Sequence, residues 1–309
     1  MPERNDHLET LKETPSQLKE ALAGVPKKLL QWNPAPGKWS IQQILCHMRD
    51  MEKEAYLVRY RRILEEDNPS LPDADGDILA LELGYQSLKL GEVVRDWKRA
   101  RKETLKLLRK VKGNQWQRVG THEVDGPLSL EDLLERHAVG NDRAHLGQIR
   151  AIKNRWEILS KLERAPAELA RLTGELSDDA SRRRPASDQW SIVEVACHMR
   201  DVEQFYAERF TKILSRDRPR FWVMDNEQLA NKRGYREASL KAALKEFRQL
   251  RADTLVLLRA LPHPVWQRTG IHPERGELSM EQLAVRLGSH DERHLGEIRG
   301  LTARPPRTT

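Results

Sequence analysis

Two stretches of the chain carry apolar residues at helical spacing and have nearly the same sequence. Their apolar positions are Ile41, Ile44, Leu45 and Met48 in the first stretch and Ile192, Val195, Ala196 and Met199 in the second. Recurrence every three or four residues is typical of an amphipathic helix. Ser40 and Ser191 directly precede these stretches, at the position of a helix N-cap. The pattern predicts one helix in each stretch, beginning after the serine.

The likeness between the two halves extends along the whole chain. KWSIQQILCHMRDMEKEAY at 38–56 matches QWSIVEVACHMRDVEQFYA at 189–207 at an offset of 151 residues. WQRVGTH at 116–122 matches WQRTGIH at 266–272 at an offset of 150, and AHLGQIR at 144–150 matches RHLGEIR at 293–299 at an offset of 149. Ordered blocks at a nearly constant offset indicate a tandem duplication of whole domains, because the period is too long for a solenoid. We expect domains at 1–155 and 156–303, followed by a disordered tail at 304–309.

Each copy predicts further helices and no alternating strand. The first helix of each copy begins near a proline (Pro15 or Pro166), and the last begins at a capping box (Ser129 with Asp132, or Ser279 with Gln282). A helix with paired leucines lies between them. The sequence therefore predicts an all-α fold, with a bundle of four or more helices in each copy.

Composition and charge narrow the class of protein. The chain has 309 residues, of which 33% are charged and 38% are hydrophobic, with 54 basic against 47 acidic side chains. The mild surplus of +7 does not by itself indicate nucleic-acid binding, and no recognition motif accompanies it. No apolar run approaches the roughly 20 residues of a membrane span, and two cysteines cannot form a disulfide framework. We expect a cytoplasmic protein that contacts neither membrane nor nucleic acid.

Histidines are the main candidates for chemistry. In GSHDERHLGEI (288–298), His290 and His294 are four residues apart, so on a helix both can reach one ion. Such a pair also occurs by chance on many helices. His198 in the CHMRD block offers a third imidazole, although it could equally be a core histidine bonded to its neighbours. Three neutral imidazoles with an open coordination position are typical of a catalytic metal site.

Several motifs together resemble those of the DinB/YfiT-like superfamily. They are W-S-I…H…D-x-E early in each copy, the HP loop before the last helix and H-x3-H-x-G-x-I near the end, and the resemblance covers nearly the whole chain. It implies two tandem up-down four-helix bundles, often dimeric, with a divalent metal held by three histidines. It also implies a metal-dependent hydrolase, or a transferase that uses a low-molecular-weight thiol such as bacillithiol or mycothiol. On this resemblance the metal ligands are His198, His290 and His294. We expect zinc or nickel, with iron or manganese as alternatives.

The first copy departs from the motif at one ligand. Its set is His47, Asn141 and His145, and a neutral amide oxygen is a poor ligand for zinc or nickel. The first copy also has one more residue between its LS and HLG motifs. An extra residue inside a helix can form a π-bulge and reorient ligands, which makes His137 an alternative third ligand. We expect one working site in each chain, in the second copy.

Other residues have both a functional and a structural interpretation. Asp201 and Glu203 are candidates for orienting an imidazole or for acid–base work, or else form salt bridges with nearby arginines. Arg293 could bind a substrate carboxylate or phosphate, or form a structural salt bridge. His122 and His272 lie in loops that could cover the site. Cys46 and Cys197 are interpreted as small core residues.

Two functional hypotheses follow from these residues. In the first, the second copy is a metal-dependent enzyme acting on a small-molecule substrate. In the second, the chain is a non-catalytic metal-binding or scaffold protein whose two copies form an intramolecular pseudo-dimer. The sequence leaves open whether the chain is a monomer or a homodimer.

Overall fold

The computed structural model describes residues 2–302 of the chain. The chain divides into two compact units, Met1–Asn154 and Arg155–Thr309, named unit 1 and unit 2. This division falls one residue before the predicted boundary. The predicted tail at 304–309 lies outside the described residues.

Unit 1 is built mainly from helices. In chain order they are α1 (Pro2–Ala21), α2 (Lys27–Leu30), α3 (Ile41–Asp50), α4 (Leu57–Glu65), α5 (Gly76–Glu82), α6 (Leu90–Leu108), α7 (Leu130–Glu135) and the first part of α8 (Ala144–Thr173). Two π-helical turns, Met51–Tyr56 and Arg136–Arg143, join α3 to α4 and α7 to α8. The long helical segments of the bundle are therefore α1, α3–α4, α6 and α7–α8.

Unit 2 repeats this order with unbroken helices. They are the second part of α8, α9 (Asp178–Arg182), α10 (Ile192–Ser215), α11 (Asn226–Lys232), α12 (Leu240–Ala260), α13 (His263–Trp266) and α14 (Met280–Thr302). The chain is thus all-α in class, as predicted. Within residues 2–302, none of the helices is both long and apolar enough to cross a bilayer.

Short strands accompany the helices, although none was predicted. They are β1 (Ser70–Leu71), β2 (Val119–His122), β3 (Gly126–Ser129), β4 (Thr269–His272) and β5 (Gly276–Ser279). β2 pairs antiparallel with β3 and β4 with β5, while β1 adds parallel to β2. Four-residue strands are too short for an alternating pattern to show in the sequence. His122 and His272 end the first strands of the two hairpins and pair with glycines at positive φ.

Both predicted capping boxes are present, since Ser279 bonds reciprocally with Gln282 at the start of α14 as Ser129 does with Asp132 at α7, and the predicted N-cap Ser40 forms a further box. The Ser40 and Ser129 side chains accept from the backbone amides of Gln43 and Asp132, and the side chains of those residues accept from the serine amides in return. Ser191 forms the same reciprocal pair at the start of α10.

The first helix of each unit, in contrast, begins earlier than the prolines predicted. Pro15 lies inside α1 and Pro166 inside α8. Fully buried leucines flank each proline, Leu11 with Leu18 and Leu162 with Leu169, seven residues apart. This spacing continues the apolar face of a helix across the proline, so packing against the core outweighs the lost hydrogen bond.

The two π-helical turns explain why the repeat offset changes along the chain. The offset is 151 at Glu52 and Glu203 but 150 at Arg59 and Arg209, so unit 1 has one more residue across its first π turn. It falls from 150 to 149 across the second π turn, Arg136–Arg143. A π turn absorbs one added residue while the rest of the helix keeps its register. The predicted bulge before the HLG motif is therefore confirmed.

The apolar stripes seen in the sequence form the core of each unit. Ile41, Ile44, Leu45 and Met48 are at most 2% exposed, and their counterparts on α10 are also buried. In unit 2 the α10 stripe packs with Phe247 of α12 and with Leu295 and Ile298 of α14. This packing fixes the facing sides of α10 and α14, from which the candidate ligands project.

Candidate metal centre

Three histidines converge between α10 and α14 of unit 2. His198 Nε2 lies 2.9 Å from His290 Nε2, and the three pairs of ring centroids are 4.4–4.9 Å apart. One ring nitrogen from each residue lies within 4.8 Å of the other two. Among the described residues, this is the one group of three or more His, Cys, Asp or Glu side chains close enough to hold an ion. The i, i+4 spacing on α14 and the packing of α10 bring them together.

Burial keeps His198 and His294 neutral. His198 is 3% exposed and His294 is 6% exposed, while His290 is half-buried. Burial and the neighbouring His290 and His294 lower the pKa of His198 to about 2. Burial, followed by His290, lowers the pKa of His294 to about 4. At neutral pH these two rings are therefore uncharged and carry the lone pairs that a metal requires.

The hydrogen bonds of His294 define its tautomer. Its Nδ1 lies 2.7 Å from Glu297 Oε2, and its Nε2 lies 3.0 Å from the Arg293 guanidinium. A guanidinium can only donate, so Nε2 accepts and the ring proton sits on Nδ1, where it bonds the carboxylate. A carboxylate that bonds the far nitrogen is the usual way to orient a ligating imidazole. Glu297 was not predicted as a site residue, although its i+3 spacing from His294 is visible in the sequence.

A buried charged network lies next to the cluster. Arg251 donates to Glu203 and Asp291 at 2.6–2.9 Å, and all three side chains are at most 3% exposed. Glu203 Oε1 and Asp291 Oδ1 have no hydrogen-bond partner among the described residues. Asp291 Oδ1 lies 3.8 Å from His290 Nδ1, beyond hydrogen-bond distance. This network therefore sets two carboxylates against one guanidinium on the Asp291 side of His290, while the Arg293 guanidinium lies against His294.

The two acidic candidates from the sequence lie in different surroundings. Glu203 is fully buried on Arg251. Asp201 accepts from Tyr235 Oη at 2.5 Å and from the guanidiniums of Arg200 and Arg233 at 2.7 Å. These contacts tie α10 to the segment after α11 and favour the structural interpretation of both carboxylates.

Unit 1 keeps two members of the cluster in the same geometry. The rings of His47 and His145 are 4.8 Å apart at 76°, against 4.9 Å and 76° for His198 and His294. Asn141 is buried and donates to Asp142 at 3.3 Å, and His145 Nδ1 bonds Gln148, the counterpart of Glu297. Burial, followed by His145, lowers the pKa of His47 to about 4. The arrangement in unit 1 therefore has two imidazoles where unit 2 has three.

His137 does not join these two rings, and its interpretation as an alternative ligand was wrong. It is fully buried with both ring nitrogens engaged, Nε2 with Glu52 at 2.8 Å and Nδ1 with Tyr60 Oη at 3.2 Å. The π turn orients it into the charged network of Glu52, Arg101 and Asp142.

The cysteines have no role at the cluster. Cys46 and Cys197 are free and fully buried, and burial raises the pKa of each thiol to about 11. They are therefore protonated at neutral pH, and the interpretation as core residues agrees with this environment.

A cavity of about 400 Å³ adjoins the histidine cluster, with His290 in its wall. Its other lining residues come from α10, the β4–β5 hairpin and α14: Tyr206, Arg209, His272, Arg275, Leu278, Arg286, Ser289 and Arg293. Of these residues, only His272 and Arg293 were predicted from the sequence as candidate site residues. Arg286, Ser289, His290 and Arg293 have i, i+3, i+4, i+7 spacing, so the shared face could have been read from the sequence.

Comparisons with known proteins identify the family of the chain. A family model described as the DinB superfamily matches residues 10–149 and again residues 161–298. Among solved structures, YfiT from Bacillus subtilis, described as a probable metal-dependent hydrolase with an unusual four-helix bundle topology, is similar to this chain at 20% sequence identity. Its alignment covers 48% of this chain and 85% of YfiT, with a TM-score of 0.46. No curated protein sequence matches the chain. The two matches of the family model cover most of the sequence, and the chain belongs to the DinB superfamily.

Proposed function

We propose that unit 2 is a metal-dependent enzyme domain in which His198, His290 and His294 hold a divalent ion. The observation that carries this proposal is the convergence of one nitrogen from each of three histidines beside a cavity. The neutral state of His198 and His294 and the Glu297 bond suit a cation, and a bound ion would take the His294 Nε2 lone pair that Arg293 contacts in this structure. Imidazole donors favour zinc or nickel, with iron or manganese as alternatives.

The reaction is proposed as hydrolysis of a small molecule or transfer of a low-molecular-weight thiol. When bound, the ion supplies Lewis-acid activation of a water or a thiol. The chain's own residues prepare the site for this chemistry. Glu297 holds His294 in the ligating tautomer, and burial of His198 excludes bulk water from one side of the cluster. The cavity beside His290 gives a substrate access to the open side.

Unit 1 is proposed as a copy that has lost this function and is kept for structure. Asn141 replaces a ligand, and His137 satisfies the buried carboxylate of Glu52 without an ion. The whole chain would then act as a pseudo-dimer with one active unit. A non-catalytic scaffold remains the second candidate, because unit 1 shows that this fold persists with an incomplete histidine set.

Metal analysis of protein purified without a histidine tag tests the proposal. We expect about one equivalent of divalent metal per chain, lost in His290→Ala and retained in the matched unit 1 variant His145→Ala. A chain that contains no metal after purification, and takes up none from zinc or nickel solutions, would overturn the enzyme proposal. Two equivalents would overturn the inactive assignment of unit 1.

A further inference from the structure

The cavity next to the histidine cluster is lined by an unusual excess of positive charge. None of its nine lining residues is Asp or Glu. Four of the nine are arginines, namely Arg209, Arg275, Arg286 and Arg293. In a protein with 54 basic and 47 acidic residues, surface arginines are ordinarily interspersed with carboxylates. The charge of this cavity is therefore local and not a consequence of composition.

These arginines also lack internal counterions. Within residues 2–302, none of the four lies within 4.0 Å of a carboxylate, whereas many other arginines of the chain do. Arg209 is only 6% exposed, and its Nε has no hydrogen-bond partner among the described residues. Its guanidinium donates to the Trp222 carbonyl at 3.1 Å and packs over the ring of Phe205 at 4.1 Å, and these two contacts hold it in place without neutralising its charge. A buried, unneutralised guanidinium is costly unless an anion binds to it.

His272 adds a neutral donor to the same wall. Its Nδ1 accepts from the backbone amide of Glu274 at 3.2 Å, so the ring proton sits on Nε2. Burial and the guanidiniums of Arg209 and Arg275 lower the pKa of His272, which keeps this ring uncharged at neutral pH. The cavity thus offers donors of several kinds and no charged acceptor.

In unit 1, the region that corresponds to this cavity has its arginines paired with carboxylates of the same unit. Asp125 and Asp73 occupy the positions of Arg275 and Val223, at an offset of 150. Arg136, the counterpart of Arg286, pairs with Asp125 at 2.5 Å. Arg59, the counterpart of Arg209, lies 3.8 Å from Asp73. The position of Arg293 is Ala144. Unit 1 supplies carboxylates from its own chain where unit 2 has none.

We propose that the cavity of unit 2 binds a small molecule with two or more negatively charged oxygen groups, of the phosphate-ester or dicarboxylate class. The external anion takes the place that Asp125 and Asp73 occupy in unit 1. Guanidinium forks suit both phosphate and carboxylate oxygens, since each offers paired acceptors at the right spacing. This proposal rests on the proposed function in one respect, namely that the bound anion is the substrate of the adjacent metal site.

Calorimetric titration with two probes, inorganic phosphate and succinate, tests the proposal at low ionic strength. The proteins are the wild-type chain, Arg275→Gln, Arg286→Gln and Arg275→Asp, the last of which copies unit 1. We expect one anion per chain for wild type, and Kd about tenfold or more higher for each glutamine variant, because each loses a charge-assisted bond. Arg275→Asp should abolish binding. The matched unit 1 variant Arg136→Gln should leave Kd unchanged.

Preference for one probe supports the proposal and assigns the class, phosphate ester or dicarboxylate. Binding of neither probe, or equal binding by wild type and Arg275→Asp, overturns it. The His198→Ala variant separates this test from that of the metal site, because it removes a proposed ligand but none of the cavity arginines. Anion binding retained by metal-free His198→Ala supports the cavity even if the metal proposal fails. If the Arg275→Asp variant binds no anion but has normal metal content, the loss of anion binding does not result from damage to the metal site.

Discussion

His137 stacks face to face on Tyr56, with ring centroids 4.0 Å apart and an angle of 3° between the rings. Each residue lies in one of the two π-helical turns of unit 1. Their counterpart helices, α10 and α14, are α-helical over their described lengths. The two π turns that contain the added residues of unit 1 therefore meet at the contact between Tyr56 and His137, where His137 also bonds the buried Glu52.

His137 changes the electrostatics of that network. In unit 1, Glu52 accepts from Arg101, Thr104 and His137, and both its oxygens are bonded. Burial raises the pKa of Glu52, but its interactions and hydrogen bonds with His137 and Arg101 outweigh burial and hold that pKa well below its usual range. In unit 2, one oxygen of Glu203 has no hydrogen-bond partner among the described residues. Unit 1 thus bonds both oxygens of this buried carboxylate within its own chain, whereas the described residues of unit 2 bond only one.

Replacing His137 should destabilise unit 1 without affecting metal content. We expect His137→Ala to lower the free energy of unfolding by about 3 kcal/mol, because it leaves a cavity and removes a hydrogen bond from a buried carboxylate. Urea denaturation followed by circular dichroism measures the change. The exposed His263→Ala serves as control and should change stability by less than about 0.5 kcal/mol. Equal stability of the two variants would contradict the role assigned to His137.

Acidification should destabilise the metal-free protein. The folded-state pKa is about 2 for His198 and about 4 for His294 and His47, below the ordinary value of 6.5. Below about pH 6.5 the unfolded chain therefore binds protons that the folded chain does not. Each such histidine lowers the free energy of unfolding by up to about 1.4 kcal/mol per pH unit until its folded pKa is reached.

Urea midpoints of chelator-treated protein at about pH 7, 6 and 5 measure this dependence, in the range above ordinary carboxylate titration. His198→Gln should show a shallower decline than the parent protein, since it removes one of the titrating rings. Midpoints that do not fall between pH 7 and 5 would show that the histidines are not held neutral by the fold.

Local signals accounted for most of what the sequence predicted. Helical periodicity after a serine located α3 and α10, and the Ser–x–x–acid or amide pattern located α7 and α14, because capping and amphipathicity involve residues within one turn. The π turn at Arg136–Arg143 followed from a one-residue change in repeat offset. The contacts of His137 could not be predicted in this way, because its partners Glu52 and Tyr60 are distant in sequence and come close to it only when the helices pack.

The arginine-lined cavity was missed for a similar reason. Arg209, Arg275 and Arg286 lie on a helix, a hairpin and another helix, and arginines are common throughout this chain. What distinguishes these residues is the absence of nearby carboxylates, which only the tertiary structure displays. Two signals were present in the sequence: the helical spacing of Arg286, Ser289, His290 and Arg293, and the difference between Asp125 and Arg275 in the aligned copies.

Removing the charge of Glu297 should weaken metal binding. Its carboxylate accepts from His294 Nδ1 at 2.7 Å, which makes the opposite nitrogen a stronger donor to a metal. We expect Glu297→Gln, which copies Gln148 of unit 1, to raise the zinc Kd by about 10- to 100-fold. Competition with a chromophoric chelator measures it.

The matched control for this prediction is Glu292→Gln on the same helix. Glu292 is exposed and pairs with Lys161 at 3.2 Å, so its replacement should leave the zinc Kd unchanged. If both variants bind zinc like wild type, the bond between Glu297 and His294 does not tune the site.

Restoring the missing ligand should give unit 1 a metal site. His47 and His145 already have the ring distance and angle of His198 and His294, and position 141 corresponds to His290. We expect Asn141→His to raise the metal content from about one to about two equivalents per chain, because three imidazoles bind zinc far more tightly than two. Elemental analysis of the tag-free protein measures it.

Two further variants identify the source of the added metal. Asn141→His combined with His47→Ala should return to one equivalent, and Asn141→Gln should stay at one because an amide remains a poor ligand. If Asn141→His folds but still binds one equivalent, the π turn has moved position 141 away from the ring pair. Deleting the added residue of that turn in the Asn141→His background should then give α7–α8 of unit 1 the register that α14 has in unit 2, and with it the second site.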